Sequence, residues 1–290
     1  MKKQKLMEDV IHGIFLVLGL LSVGFVLLIT VYLVVSGIPA IKELGLHDFL
    51  WGQEWASTAD EPRFGILPFI LTSVYGTAGA IAIGVPIGFF CAVYLAKIAP
   101  PGIKSMASAA VSLLAGIPSV VYGLVGMLVL VPGIRVLFDV PDGASLLAAI
   151  VVLAVMILPS IIKMSITALE SVPQEYEDAS LALGATPIET WFRVSVPAAK
   201  SGIAAAVVLG VGRAIGEAMA IMMVSGNVAN MPSLFASVRF LTTAVASEMS
   251  YSSGFQRQAL FSIALVLFLF IILINAAFNF FLKKFGENSR

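Results

Sequence analysis

Six stretches of about 20 or more mostly apolar residues divide this chain, and they confine it to few folds. At 1.5 Å per residue, about 20 helical residues cross a hydrocarbon core roughly 30 Å thick. In lipid every backbone amide must find its partner within the protein, so such stretches become helices. They fall at 14–36, 66–96, 106–131, 145–167, 201–225 and 258–282. The expected fold is therefore all-α: a polytopic membrane protein with six transmembrane helices. Charge usage agrees, since 12% of the 290 residues are charged and 59% hydrophobic, against roughly 25% charged in soluble domains.

The first stretch follows Lys2, Lys3 and Lys5, as a signal peptide would, but its apolar run is too long and no A-x-A site follows it. It reads as a retained helix. Lys and Arg set the orientation. With the N-terminus cytoplasmic, the inside segments hold Lys2, Lys3, Lys5, Lys97, Lys104, Lys163, Arg193, Lys200, Lys283, Lys284 and Arg290. The outside segments hold Lys42, Arg63, Arg135, Arg239 and Arg257, and Arg213 lies in the membrane. This bias predicts both termini cytoplasmic. The expected plan is a cytoplasmic N-terminus at 1–13, a first span at 14–36 and an external loop at 37–65. A membrane core at 66–282 with a cytoplasmic loop at 168–200, and a cytoplasmic C-terminus at 283–290, complete it.

The formal net charge is zero and no basic or acidic run occurs, so nucleic acid is not an expected partner. Cys91 is the single cysteine, which excludes an internal disulfide and any site built on several thiols; no metal site is expected. Pro86, Pro118 and Pro159 stand near the middle of three neighbouring spans and read as kinks. The pairs Gly84 and Gly88, and Gly212 and Gly216, have the spacing of close helix contacts.

Between the fourth and fifth spans lies ESVPQEYEDASLALGATPIETWFRVSVPAAKSG, residues 170–202. Ser171 with Gln174, and Thr186 with Glu189, have capping-box spacing, and Pro173 and Pro187 suit first helical turns. Gly184 suits the end of the first helix. Tyr176, Ala179 and Leu183 share one face, with Glu175, Glu177 and Asp178 off it; Ile188, Trp191 and Phe192 make the second helix apolar. Two readings stand: a docking surface with aromatic anchors, or a loop folded on its own bundle.

The stretch DASLALGATPIETWFRVSVP, residues 178–197, resembles the EAA loop of ABC-importer permeases. Asp178, Ala179 and Ser180 occupy the E-A-A positions, Gly184 the glycine, and Val194, Val196 and Pro197 the closing I, L and P. The resemblance implies a type I ABC-importer permease fold and a coupling loop that enters a separate ATPase. No G-x-x-x-x-G-K-[ST] occurs in the chain. No cofactor is therefore expected here, and ATP with Mg belongs to the partner. FGILPFI at 64–70, GIPSVVYG at 116–123, LGVGRAIGEAMAIMMVSGN at 209–227 and VASEMS at 245–250 are similar to phosphate-specific permeases of the PstC type. That likeness implies a bacterial inner-membrane phosphate importer: a PstA-type sister permease, two ATPase subunits and an extracytoplasmic phosphate-binding protein. The external loops would face the binding protein. Within the last of these, MPSLFASVRFLTTAVASEM at 231–249 has Pro232 placed to start a helix.

Arg213 and Glu217 are the residues that an apolar span tolerates least. An arginine near mid-membrane costs at least about 2.5–3.5 kcal/mol on insertion scales, so it faces a bundle interior or a water path. At i,i+4 the two side chains are neighbours on one helix, though acid before base is the more stabilising order. Gly210, Gly212 and Gly216 do not make the G-x-G-x-x-G dinucleotide fingerprint. A structural ion pair, or a bridge to the sister permease, is one reading. The other is a passage site in which Arg213 receives phosphate and Glu217 competes for the guanidinium. A permease for another oxyanion, and an ion-coupled transporter or channel gated by the pair, are the alternative functions.

Overall fold

The computed structural model describes residues 2–287. Residue 1 of the expected N-terminal segment and residues 288–290 of the expected C-terminal one lie outside the described residues. The described residues are helical except for one short hairpin and the connections. The elements begin with α1 (Lys2–Leu44), α2 (Leu46–Trp51) and the hairpin β1 (Trp55–Ala56) with β2 (Arg63–Phe64). Next come α3 (Leu67–Val93), continued by a π-helical turn at Tyr94–Ile98, and α4 (Pro101–Gly116). The helix α5 (Ser119–Val125) runs through a second π-helical turn, Gly126–Leu130, into α6 (Val131–Phe138). It is followed by α7 (Leu146–Glu170), α8 (Gln174–Ala182) and α9 (Pro187–Thr190). A third π-helical turn, Trp191–Ser195, leads to α10 (Val196–Ala198) and α11 (Lys200–Gly216). The chain ends with α12 (Met219–Val224), α13 (Leu241–Glu248) and α14 (Gly254–Glu287).

Among the described residues, five helical stretches are long and apolar enough to cross a membrane: Val10–Leu44, Leu67–Ile98, Ser119–Phe138, Leu146–Glu170 and Gly254–Ala277. Counting Pro187–Ala198 with Lys200–Gly216, which meet at a 70° bend, gives six. The two predicted spans that differ most from the structure both break. Residues 106–131 do not form one helix. Ile117 is extended, with φ −70° and ψ 128°, because the ring of Pro118 disfavours helical backbone in the residue before it. Pro118 thus ends α4 and precedes α5, where a kink was expected. Pro86 and Pro159, in contrast, lie inside continuous helices.

Residues 201–225 also break, between Gly216 and Met219. Glu217 is extended, with φ −72° and ψ 131°. No proline forces this. Gly212 and Gly216 weaken the last two turns by about 1 kcal/mol each relative to alanine, and nearby groups receive the freed backbone. The Thr242 hydroxyl donates to the Glu217 carbonyl at 2.7 Å.

The centre of the bundle is α7, with Ile150, Leu153, Met156, Ile157 and Ile161 buried along it. It is approached by a small-residue face of α3. A Cβ at Gly84 would lie 2.7 Å from Ile157, and one at Gly88 would lie 2.9 Å from Ile161. Only glycine permits that approach, which gathers dispersion contact where water exclusion between lipid-bathed helices adds little. Gly210 of α11 meets Ile161 in the same way, at 3.0 Å. Gly212 and Gly216 meet no helix of this chain: among the described residues a Cβ at either would find nothing within 4 Å.

The segment 226–240 forms no helix at Pro232. Its carbonyls are committed elsewhere: Leu146 and Leu147, in the first turn of α7, donate to Ala236 and Leu234 at 3.2 and 2.9 Å. The segment satisfies amides that a helix start leaves free. It then dips into the bundle, where Val238, Phe240 and Leu241 are buried.

Candidate functional site

Arg213 occupies the last turn of α11, where the helix presents the negative end of its dipole. One guanidinium nitrogen, Nη1, donates to Ser160 Oγ of α7 at 3.4 Å, a long hydrogen bond. Among the described residues no carboxylate forms an ion pair with Arg213. The helical Arg213–Glu217 pair expected from spacing is therefore absent. Because the chain leaves the helix at Glu217, its carboxylate turns forward instead, and Oε1 accepts from the Ala220 amide at 3.0 Å. Glu217 links the two halves of a broken span.

A second residue near this break was not singled out from the sequence. Tyr122 on α5 has a hydroxyl that donates to the Leu114 carbonyl at 2.8 Å. Leu114 lies just before the Ile117–Pro118 break, and its carbonyl accepts from both the Ile117 amide at 3.2 Å and the Tyr122 hydroxyl. The half-helices after the breaks pack on each other. A Cβ at Gly123 would lie 2.8 Å from the Ala220 Cα, and one at Gly126 would lie 2.7 Å from Val224. Two interrupted helices thus carry Arg213, Glu217 and Tyr122 at or near their interruptions.

The loop 168–200 presents an apolar surface. Ser171 caps nothing: it ends α7, its hydroxyl donating to Ala168 O at 2.8 Å, and α8 starts after Pro173. Thr186 and Glu189 do form the expected reciprocal box, with Pro187 in the first turn. The Glu189 carboxyl is held below its ordinary range by hydrogen bonds from the Thr186 amide and hydroxyl. Gly184 has φ +87°, left-handed backbone that glycine adopts at little cost, and it lets α8 reverse into α9. Tyr176, Leu183, Ile188 and Phe192 are exposed, Leu183 at 90%. Asp178 and Ala179 are also exposed. Gln174 Nε2 donates to Asp178 Oδ1 at 3.2 Å, and the Ser180 and Thr190 hydroxyls lie 2.9 Å apart. Pro197 lies in α10. Glu177, placed on the polar face by its pattern, is buried instead. It forms an ion pair with Lys97 from the π-helical turn of α3 and accepts from Ser195 Oγ at 2.8 Å.

At the opposite end of the bundle, Glu248 closes α13 as a polar hub. It pairs with Arg239 and accepts from Trp55 Nε1 at 3.1 Å, Ser57 Oγ at 3.2 Å and Gln256 Nε2 at 3.1 Å. Arg239 Nε also donates to the Asn227 carbonyl at 3.0 Å. The hub ties the hairpin, the 226–240 segment and the start of α14 together.

The pattern of the family described as the binding-protein-dependent transport system inner membrane component matches residues 84–287. The chain belongs to that family. The permease is 40% identical over 266 residues to the probable ABC transporter permease protein YqgH of Bacillus subtilis, covering 89% of this chain and 86% of the relative. It is 35% identical over 273 residues to the phosphate transport system permease protein PstC of Haemophilus influenzae, covering 86% and 85%. Its fold is similar to that of a bacterial alginate ABC transporter chain, with TM-score 0.63 at 15% identity over 97% and 96% of the two chains. It is also similar to a chain of the MetNI methionine ABC transporter, with TM-score 0.59 at 23% identity over 76% and 95%. The permease is thus a multi-pass inner-membrane subunit of an ABC importer, non-catalytic itself, and it works with ATPase and binding-protein partners.

Proposed function

We propose that this permease carries inorganic phosphate inward, past Arg213, by alternating access. The observation that carries the reading is the guanidinium at the end of α11, held by one long hydrogen bond to Ser160. Its remaining donors form a planar fork that matches phosphate oxygens. The similarity to PstC permeases supplies the anion. Glu217, extended at the break that follows α11, supplies an opposing charge whose carboxylate rests on the Ala220 amide. It competes for Arg213 by swinging back from that amide: at an effective dielectric near 20, unit charges brought to 4 Å interact by about 4 kcal/mol, which weakens the hold on an anion enough for release.

In this reading both termini and the loop 168–200 are cytoplasmic. Tyr176, Leu183 and Ile188 dock on an ATPase, with Asp178, Ala179, Ser180, Gly184 and Pro197 shaping the coupling helices. Two ATPase subunits hold ATP and Mg. A PstA-type sister permease faces the open side of α11 at Gly212 and Gly216. The Glu248 hub faces the phosphate-binding protein. The deciding experiment purifies the native complex, identifies its subunits and measures ATP-driven uptake in proteoliposomes with phosphate, sulfate or molybdate competing. Phosphate alone should compete with labelled phosphate. Equal competition by sulfate or molybdate would replace the substrate.

A further inference from the structure

On the α8 side of Arg213 a cavity of about 500 Å³ opens between α4, α7 and α11. It shares Ser160 with the Arg213 hydrogen bond, and Leu209, one turn before Arg213 on α11, also lines it. Ser160, Lys163 and Thr167 enter it from one stripe of α7, at i, i+3 and i+7, and Ser108 and Ser112 enter it from α4. Among the described residues no carboxylate lines it.

Lys163 is the unusual member. It lies seven residues before the end of α7 at Glu170, roughly 10 Å at helical rise, inside a span otherwise free of charge until that glutamate. The nearby lysine of α4, Lys104, is taken by Glu170. Among the described residues, no carboxylate forms an ion pair with Lys163. Its side chain is exposed on this chain, toward the Glu170 end of the span, and an ionisable side chain there faces a water-filled path or a partner. The hydroxyls beside it are satisfied within the chain, Ser112 donating to Ser108 O at 2.8 Å and Thr167 to Lys163 O at 3.1 Å. Each hydroxyl proton can rotate toward a passing oxyanion and back, so no buried group is stranded when the anion leaves.

We propose that this cavity is a second anion station, in which Lys163 and the hydroxyls of Ser108, Ser112 and Thr167 receive a phosphate oxyanion after Arg213. It rests on the phosphate-pathway reading. Lysine suits a release station: a compact, strongly hydrated ammonium holds an anion as a point charge and lacks the two-pronged grip of arginine.

The test uses the whole complex in nanodiscs. Cys91 is replaced by serine, and Thr167→Cys or Ser112→Cys is labelled with an anionic sulfonate or a cationic trimethylammonium thiol reagent. With Lys163 present, the anionic reagent should react faster. Lys163→Gln should erase that preference, and inorganic phosphate should slow labelling. No reaction with either reagent, or a preference unchanged by Lys163→Gln, would overturn the station. Slowing that follows the content of phosphatidylglycerol, and not of inorganic phosphate, would assign Lys163 to a lipid headgroup and overturn it too. Slowing by sulfate and not phosphate would keep an anion station while overturning the phosphate reading. In proteoliposomes Lys163→Gln should lower phosphate uptake about tenfold, the loss of one charge-assisted contact. Lys163→Arg, which keeps the charge, should restore the preference for the anionic reagent. Unchanged uptake in Lys163→Gln would also overturn the station.

Discussion

Lys97 and Glu177 form an ion pair almost closed to solvent, with 11% and 9% of their side chains exposed. It joins two π-helical turns from different helices. Lys97 belongs to the turn that ends α3, and the same carboxylate accepts from Ser195 in the turn after α9. Such turns interrupt the regular helical ladder and recur at functional sites. One carboxylate of the loop 168–200 therefore ties it to the end of α3.

Removing one partner of a buried pair leaves an uncompensated charge and costs about 3–5 kcal/mol. Lys97→Met alone should lower the thermal unfolding midpoint of the purified complex clearly. Lys97→Met with Glu177→Leu should regain most of it, since the stranded charge is gone. Equal midpoints for wild type and Lys97→Met would remove the pair from this role.

At Gly184, φ +87° excludes proline, whose ring locks φ near −65°. Gly184→Pro should deform the α8–α9 reversal and leave α3, α7 and α11 intact. The expected outcome is normal membrane insertion with loss of ATPase co-purification and uptake. Retained co-purification and uptake would exclude this loop as the coupling element.

Much of this architecture is legible in the sequence, because hydrocarbon imposes one rule over long stretches. The apolar runs locate α3, α7 and α14 well, and the Thr186–Glu189 box and Gly184 are where local chemistry places them. The two interruptions are not legible in the same way. A proline inside an apolar run reads as a kink, and the full break at Pro118 is supported from outside α4 by Tyr122, whose hydroxyl meets the Leu114 carbonyl. The break at Glu217 leans on Thr242, 25 residues away. Glu177 follows a similar logic, since its burial depends on Lys97, 80 residues earlier.

Glu217→Gln preserves an acceptor for the Ala220 amide and removes the charge. The variant should assemble normally and show impaired phosphate turnover, because the competitor for Arg213 is gone. Glu217→Leu removes the cap as well and should cost about 1 kcal/mol or more in stability. Normal turnover in assembled Glu217→Gln would restrict Glu217 to capping.

The Glu248 hub gathers four donor-bearing side chains. Glu248→Ala leaves Trp55 and Arg239 without their acceptor, at about 1–3 kcal/mol for a buried unsatisfied group. The hairpin should detach first, so limited proteolysis should cut within 52–64 faster than in wild type. Unchanged cleavage would mean that aromatic packing of Trp55 on Phe64, 5.3 Å between centroids, holds the hairpin without the hub.

Arg213 carries the central claim. The decisive measurement is phosphate uptake by proteoliposomes holding the full complex with Arg213→Gln, alongside subunit stoichiometry and ATP hydrolysis. Glutamine retains a donor for Ser160 and removes the charge. The account predicts normal assembly with uptake abolished; a normally assembled Arg213→Gln complex with normal uptake would contradict it.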